Sequence, residues 1–545
     1  MIDADGCPPP ALRVRRALLV ISLLAALGVA PAAAEAQRTP PNRAAAGRQV
    51  PPKDSRPETF RGEEVIARVY DLILDANFTQ ANAALDRACG PAPDEACDVL
   101  AATALWWRIQ LDPENRALDE AFTAAIDRAI ETTDAWTARA PDDAEAWFYS
   151  GAAYAARVQW RVLRDEKLSA ARDGKRIKDA LERSLALNPE LDDAYFGIGM
   201  YRYYADVAPA AARFLRFLLL LPGGNRKDGL AQMLRAREHG RLLQGEADYQ
   251  LHVIYLWYER QTERAVDLLD GLRDRYPGNP LFPTQIAEIV DTYQHDTTAS
   301  LDAWRALLRD ALAGRLHAAP LAETRARLGI AQHLDTLALS DEAIDQLDRV
   351  IAAKPEAPYS ALALAYLRRG LAQDRMNART AAVESYRLAA QVAPPDDPYG
   401  VRRDAAERLR KTPNAAHAEA FRLSIEGLRK LEQKDLEAAA SALERSLALN
   451  GRDPIAHYRY GRVLAARRDL PRALTQFEIA IRDARSCPPA ILGQIYVEAA
   501  QIHERLGRRE PAKTAYSAAA TLFGASNETH RLATRELARL NRDSR

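Results

Sequence analysis

The sequence predicts an all-α solenoid of about ten stacked helical hairpins, and three observations lead to this fold class. First, small and aromatic side chains recur in a fixed order, which is clearest at Gly461, Ala473, Phe477 and Ala480. Second, apolar residues repeat with a helical period, and no long stretch alternates with the period of two that a strand requires. Third, a chain of 545 residues exceeds what one core usually holds, whereas stacked hairpins pack only on their neighbours.

The spacing of the glycines sets the register of the hairpins. Gly427 and Gly461 lie 34 residues apart, and Trp147, Gly151 and Tyr154 give the pattern of a first helix. These motifs resemble the tetratricopeptide repeat, a 34-residue helix–turn–helix unit. The resemblance implies a right-handed superhelix whose concave face is lined by the first helix of each hairpin.

Composition divides the chain into five predicted segments. They are a signal peptide (1–36), a disordered Pro/Arg-rich linker (37–59), an N-terminal and central array (60–395), an irregular connection (396–415) and a C-terminal array with a capping helix (416–541). The linker is too polar to bury the apolar surface that would offset its ordering entropy. The connection contains APPDDPYG and TPNAA, in which prolines interrupt the helical pattern.

The N-terminus has the parts of a secretory signal peptide. Three arginines precede an apolar run over 17–30, and Ala34-Glu35-Ala36 offers a cleavage site before Gln37. The run is shorter than the ~20 residues that span a bilayer, and an uncleaved anchor is the alternative. We therefore predict an exported protein, periplasmic in a bacterium.

The cysteines fit an oxidising compartment. Cys89 and Cys97 flank the turn GPAPDEA and are a candidate disulfide, with two unpaired thiols as the alternative. Cys487 has no evident partner. Because neither a CxxC pair nor a mixed Cys/His cluster occurs, the sequence predicts no zinc site.

One hairpin is longer than the others. Gly151 and Pro189 are 38 residues apart, where a standard repeat has 24, so about 14 residues are additional. These residues either lengthen both helices or form a protruding loop, and a loop would be a place to look for function.

Residues 147–282 carry a more specific resemblance. An aromatic–Gly–x–Gly helix precedes the apolar run FLRFLLLL (Phe214–Leu221), a Pro-Gly-Gly turn and a Gly-Leu helix start. This order is similar to a family of exported bacterial repeat proteins and, more distantly, to eukaryotic tetratricopeptide proteins linked to inclusion-body clearance and lipid droplets. The resemblance implies a lineage and no catalytic residue. The apolar run is either a buried helix or a membrane-dipping or ligand-binding segment.

No constellation of catalytic or cofactor-binding residues stands out. The chain lacks HExxH and GxSxG motifs, and its nine histidines are scattered. Its 75 basic and 75 acidic side chains give no global electrostatic footprint for nucleic acid. We predict a protein that is not an enzyme, with no catalytic residue, metal or cofactor and no nucleic-acid partner. An enzyme, the alternative, would require a cleft that only a structure shows.

The repeat resemblance identifies candidate side chains on the concave face. They are Phe148, Phe196, Met200, Tyr203, Tyr458 and Arg462. The first four would form an aromatic groove, and Arg462 could hold a carboxylate beside the Tyr458 hydroxyl. The asparagines of a tetratricopeptide carboxylate clamp are missing here. The alternative is that the aromatic rings pack between hairpins and that Arg462 is a solvated charge.

These observations together predict an exported scaffold that binds protein or peptide partners in cell-envelope assembly or maintenance. A lipid- or glycan-associated envelope protein, based on the apolar run and the aromatic side chains, is the alternative. The sequence allows membrane association without requiring it. It names neither the partner nor the oligomeric state.

Overall fold

The computed structural model describes residues 59–207 and 223–542, without the side chains of residues 87 and 88. Within these ranges the chain forms α-helices joined by short turns and contains no β-strand. Most consecutive helices pack against each other as antiparallel pairs. The predicted all-α solenoid of helical hairpins is confirmed.

Three of the predicted features lie outside the described residues. They are the signal peptide (1–36), all but the last residue of the linker (37–59) and the apolar run Phe214–Leu221. The predictions for these segments therefore stay predictions.

The described helices belong to two compact units, and the division falls after Glu259. The helices of the first unit are α1 (Glu63–Leu74), α2 (Phe78–Ala88), α3 (Asp94–Leu111), α4 (Asp119–Arg139), α5 (Ala144–Leu163), α6 (Lys167–Leu187), α7 (Ala194–Val207), α8 (Arg226–His239) and α9 (Gln244–Trp257). Those of the second unit are α10 (Thr262–Arg275), α11 (Leu281–Thr292), α12 (Thr297–Leu312), α13 (Ala319–Thr336), α14 (Ser340–Ala353), α15 (Ala361–Arg375), α16 (Arg379–Val392), α17 (Val401–Arg410), α18 (Ala415–Glu432), α19 (Leu436–Leu449), α20 (Pro454–Ala466), α21 (Leu470–Arg482), α22 (Pro489–Arg505), α23 (Arg509–Thr521) and α24 (Asn527–Arg542).

The hairpin α20–α21 shows why the sequence forms this unit. The side chain of Asp453 accepts hydrogen bonds from the first turn of α20, and Pro454 occupies the first helical position, where no N–H donor is needed. Arg468 in the turn has a left-handed backbone, with φ 65°, and Asp469 then caps α21. The same left-handed turn separates the helices of other hairpins, at Ala338 for example.

A glycine on the first helix lets the second helix approach closely. In three hairpins the side chain that meets the glycine comes sixteen positions later. The pairs are Gly370 and Tyr386, Gly427 and Leu443, and Gly461 and Phe477. A Cβ atom on Gly461 would lie 2.6 Å from Phe477 Cδ1, which is inside van der Waals contact. The predicted order of small and aromatic residues therefore reflects helix packing.

The long hairpin resolves one alternative left open by the sequence. Gly151 meets Leu181, thirty positions later, so the fourteen additional residues lie within the hairpin. They extend α5 to 20 residues and α6 to 21, and no protruding loop forms. The buried carboxylate of Asp173 joins the extended parts, since it accepts hydrogen bonds from Arg157 at 2.8 Å and from Arg161 at 2.5 Å.

Two further regions lie near predicted boundaries. The connection predicted at 396–415 contains α17, which buries Val401 and Ala405. At the C-terminus, α24 packs Ala533 and Leu540 into a cluster with Tyr516 of α23. The predicted domain boundaries themselves stay predictions.

The cysteine pair lies where α2 ends and α3 begins. Cys89 and Cys97 are joined by a disulfide, with their Cα atoms 6.2 Å apart. Cys487 is a free thiol. Burial raises the pKa of the Cys487 thiol to about 12, so it stays protonated at neutral pH.

Candidate binding surface

Two of the candidate aromatic rings are packed inside the first unit. Phe148 on α5 is 3% exposed, and its ring centre lies 4.8 Å from that of Phe60 and 5.3 Å from that of Tyr149. Phe196 on α7 is also buried. Such rings contribute to the core and leave little surface for a ligand. The predicted aromatic groove is therefore not formed by these two residues.

Tyr203 and Met200 lie on the same helix as Phe196. The Tyr203 ring is buried, and its hydroxyl donates to Glu259 at 2.6 Å. Glu259 also accepts from Arg226 at 2.8 Å, and chiefly this contact holds the pKa of the Glu259 carboxyl below its usual range. Met200 is half-buried. Tyr203 thus acts in packing and in a polar contact near the end of α9.

The structure brings Tyr458 and Arg462 together on α20 and adds two residues from α22. The Tyr458 hydroxyl donates to Glu498 at 2.7 Å and lies 3.4 Å from Gln494 Oε1. Arg462 Nε lies 3.6 Å from the same Glu498 oxygen, with its guanidinium 5.7 Å from the centre of the Tyr458 ring. Tyr458, Arg462, Gln494 and Glu498 are called the α20–α22 surface below.

Exposure on the α20–α22 surface is uneven. The Arg462 side chain is 43% exposed and Gln494 is exposed, whereas Tyr458 is buried. Burial raises the pKa of Glu498 above its usual value, because Arg462 and Tyr458 only partly offset its desolvation. The surface therefore offers a cation and an amide to a ligand, while the buried Tyr458 contacts both Arg462 and Gln494.

Sequence reasoning missed an arginine on α18. Arg429 donates from Nε and Nη2 to the two carboxylate oxygens of Asp341, at 2.7 Å and 2.8 Å. Nη2 also donates to Glu342 at 2.7 Å. Both carboxylates belong to the first turn of α14. Burial opposes ionisation of Asp341, but hydrogen bonds and the charge of Arg429 outweigh it, so the pKa of Asp341 is lowered.

A second missed arginine lies one hairpin later, on α20. Arg459 is 3% exposed and donates to Ser424 Oγ at 2.8 Å and to the backbone oxygen of Ala338 at 2.6 Å. Burial lowers the pKa of Arg459 to about 10. In the sequence, an arginine among the small and aromatic residues of AHYRYGRV indicates a buried charge. Nothing in the sequence identifies Ala338, 121 residues earlier, as its partner.

The first unit contains a buried polar cluster. Glu246 on α9 accepts from the Tyr70 hydroxyl at 3.1 Å and from Gln250 Nε2 at 3.2 Å, and Gln250 also donates to Gln159. Burial raises the pKa of Glu246 and lowers that of the nearby His252 to about 3. The hydrogen bonds of Glu246 and Gln250 join α1, α5 and α9, which is a structural role.

In residues 59–207 and 223–542 no group of three or more His, Cys, Asp and Glu is arranged to hold a metal ion. Among the helices α1 to α24, none combines the length and the apolar character that crossing a membrane requires.

Comparison with known families gives one match. The model of the tetratricopeptide repeat family matches residues 493–524, which include Gln494 and Glu498. No curated protein matches the chain.

Several solved structures are similar to parts of the chain. The TPR2AB domain of yeast Sti1, in its pHSP90 complex, is 13% identical and aligns over 55% of this chain and 96% of its own, with a TM-score of 0.21. A tetratricopeptide repeat protein from Parabacteroides merdae is 15% identical over 54% and 98%, with a TM-score of 0.24. The Cut9–Hcn1 hetero-tetramer of the APC/C is 12% identical over 88% and 90%, also with a TM-score of 0.24.

Proposed function

We propose that this chain, in which residues 493–524 match the tetratricopeptide repeat family, acts as a non-enzymatic scaffold that binds protein or peptide partners. The α20–α22 surface carries this proposal. Arg462 and Gln494 lie on the first helices of successive hairpins, and both are accessible while the hairpin interiors are filled. First helices line the face with which such repeats meet extended partners.

The chemistry of the α20–α22 surface suits a peptide. The Arg462 guanidinium can donate to a carboxylate or a backbone carbonyl, and the Gln494 amide can both donate and accept. Glu498 already forms an ion pair with Arg462, so a ligand carboxylate would compete with Glu498 for the guanidinium. We therefore expect affinity to come from several such contacts along the first helices.

Affinity enrichment from the native host tests the scaffold proposal. The full chain is compared with Arg462→Glu and with a matched control, Arg482→Glu, which places the same change at an exposed position on the second helix α21. We expect Arg462→Glu to lower partner recovery about tenfold, as the loss of ~1.4 kcal/mol would do, and the control to recover partners normally. Equal recovery by both variants would contradict the assignment of this surface.

We further propose that the protein is exported and acts in the cell envelope. The signal-peptide pattern before Gln37 and the Cys89–Cys97 disulfide support this location, because disulfides persist mainly in oxidising compartments. Sequencing the mature N-terminus tests it. A chain that begins near Gln37 is expected, and an intact N-terminus in the cytosol would overturn the proposal.

The lipid- or glycan-associated alternative rests on the run Phe214–Leu221 and on the aromatic side chains near it in sequence. Liposome flotation separates it from the scaffold proposal. Retention of the full chain in the soluble fraction is expected for a protein scaffold, and flotation with the vesicles would favour the alternative.

A further inference from the structure

The lengthened hairpin α5–α6 has an outward face that its own packing does not use. Arg172, Lys175 and Arg176 lie four, seven and eight positions after Leu168 on α6, so the four residues share one side of the helix. We call them the α6 outer face. Leu168 is 62% exposed, the Lys175 side chain is 56% exposed, and both arginines are exposed as well. This face therefore places an apolar side chain beside three cations.

The opposite side of α6 is firmly held by the rest of the first unit. The carboxylate of Asp173 is 3% exposed and accepts hydrogen bonds from Arg157 at 2.8 Å and from Arg161 at 2.5 Å. At the end of α5, the side chain of Arg164 is 6% exposed and donates to Asp119 of α4 at 2.6 Å. These contacts fix the tip of the hairpin on α4. The α6 outer face is consequently preorganised, which reduces the conformational freedom that is lost on binding.

Charges of one sign dominate the start of α6. Residues 167–178, KLSAARDGKRIK, contain five cations and one carboxylate, that of Asp173. Because Arg157 and Arg161 both contact Asp173, its negative charge is already neutralised from α5. The cations at the start of α6 are therefore not compensated by any carboxylate within the same stretch.

The three cations of the α6 outer face differ in their contacts. Lys175 pairs with Asp179 at 2.6 Å, and Arg176 donates to the Tyr154 hydroxyl at 2.5 Å. Arg172 is exposed, and within the described part of the chain no hydrogen bond or ion pair engages its guanidinium. Since Asp179 is one carboxylate beside three cations, the face keeps a net positive charge.

The residues at the start of α6 do not favour the helix in which they lie. Arg172 and Arg176 are like charges four positions apart, which destabilises a helix. Lys167 lies in the first turn, where the helix dipole favours an anion, and this turn contains no acidic residue. Gly174 has nothing within 4 Å of the position of its missing Cβ, so close packing does not require this glycine, which also weakens a helix. Residues that oppose local structure without a packing reason are typical of functional sites.

We propose that the α6 outer face is a docking surface for an acidic region of a partner protein, in which Leu168 enters an apolar depression while the three cations contact carboxylates. The inference goes beyond the proposed function, because this surface lies on a second helix of the first unit, whereas the α20–α22 surface lies on first helices of the second unit. The whole chain has a formal charge of zero, so the attraction comes from the local patch. Complementary charge accelerates association and selects the partner, and a central apolar anchor supplies affinity.

Photo-crosslinking of the full chain in its native host tests the docking surface, with p-benzoylphenylalanine in place of Leu168. The matched control replaces Leu312, which is 60% exposed at the end of the second helix α12 and lies near charges of both signs, Arg309 and Asp310. Mass spectrometry identifies the segment of the partner that is crosslinked. We expect protein adducts at position 168 and none at position 312, with Asp and Glu outnumbering Lys and Arg in the crosslinked segment.

A pair of double variants tests the role of the cations. Arg172→Gln/Lys175→Gln removes two positive charges from the α6 outer face and introduces good helix formers. Arg349→Gln/Arg387→Gln, the matched control, removes two exposed charges from the second helices α14 and α16. We expect the first variant to lower the yield of adducts at position 168 about tenfold and the control to leave it unchanged. Circular dichroism checks that each variant is folded.

Several results would overturn the inference. No adduct at position 168, or equal adducts at positions 168 and 312, would show that the α6 outer face is not a specific docking surface. A crosslinked segment that is not acidic, or adducts with lipid, would show that the surface recognises a different chemistry. Equal yields from the two double variants would show that the cations do not contribute. Partner adducts at Gln494 of the α20–α22 surface would leave the scaffold proposal standing in each of these cases, so the two proposals fail independently.

Discussion

In three hairpins a single side chain fills the space between the two helices. Phe477 is fully buried between α20 and α21, where Gly461 leaves room for its ring. Because protein interiors are close-packed, adding or removing a few atoms there changes the stability of the fold. The same local arrangement recurs with Tyr386 and Leu443 as the filling residue. The stability of these three hairpins therefore depends strongly on the side chain that fills this space.

Replacing Phe477 by alanine should lower the free energy of unfolding by about 3–5 kcal/mol, because the change leaves a cavity in a packed core. Urea denaturation of the full chain measures the effect. Phe523→Ala is the matched control, since Phe523 is 75% exposed and should cost little. Similar losses for both variants would mean that the ring does not fill the hairpin.

The buried His252 makes the first unit sensitive to acid. Its folded-state pKa of about 3 lies below the ordinary value of 6.5, because burial disfavours the charged form. The unfolded chain therefore binds the proton more tightly than the folded chain. The contribution of the neutral His252 to the free energy of unfolding is present above pH 6.5 and is lost as the pH decreases toward 3. Between pH 7 and pH 5 the loss should be about 2 kcal/mol.

Urea denaturation at pH 7 and pH 5 measures this loss. In His252→Gln, which does not titrate in this range, the difference between the two pH values should shrink by the contribution of the histidine. An unchanged pH dependence would show that other groups cause it.

At the scale of helices, much of the fold followed from the sequence. The glycine and aromatic spacing located the hairpins at Gly370, Gly427 and Gly461, and the structure places these residues in the predicted packing positions. The extra residues after Gly151 could not be resolved in advance, since the local pattern fits longer helices and a loop equally well. The structure has the longer helices, and Asp173 of α6 stabilises them by accepting hydrogen bonds from two arginines of α5.

The backbones of α7 and α8 approach each other closely at Gly229. A Cβ atom on Gly229 would lie 2.6 Å from the backbone nitrogen of Tyr203 and 2.7 Å from the carbonyl oxygen of Gly199. Backbone atoms cannot move aside as a flexible side chain can, so Gly229→Ala must separate the helices. We expect a loss of about 1–3 kcal/mol in the free energy of unfolding.

Gly174→Ala is the matched control for Gly229→Ala. Gly174 also lies within a helix, but nothing surrounds its missing Cβ within 4 Å. Alanine should therefore stabilise the protein there by about 0.5–1 kcal/mol, through its better helix propensity. Thermal denaturation compares the two variants, and changes of the same sign would contradict the close packing of α7 on α8.

At the scale of the whole chain, the candidate site was only partly predictable. Tyr458 and Arg462 were found because repeat positions are local in sequence, and the structure adds Glu498 from the next hairpin. The contact between Arg459 and Ala338 depends on how 281–392 and 415–542 run relative to each other. A single sequence contains no signal for such long-range geometry.

The disulfide gives a prediction about the mature chain. Removing it with Cys89→Ser/Cys97→Ser should lower the free energy of unfolding by about 2–3 kcal/mol, because the eight-residue separation closes a short loop. Urea denaturation in the absence of reductant measures this loss. The same variant should show no further loss when reductant is added. A wild type that is insensitive to reductant would contradict a stabilising role.

The central claim is that partners meet the first helices of the C-terminal hairpins. Photo-crosslinking in the native host tests it most directly, with a photoreactive amino acid in place of Gln494 on α22 or in place of Glu478 on the second helix α21, both of which are exposed. We predict specific partner adducts at position 494 and none at position 478. Adducts at position 478 alone, or at neither position, would contradict the account.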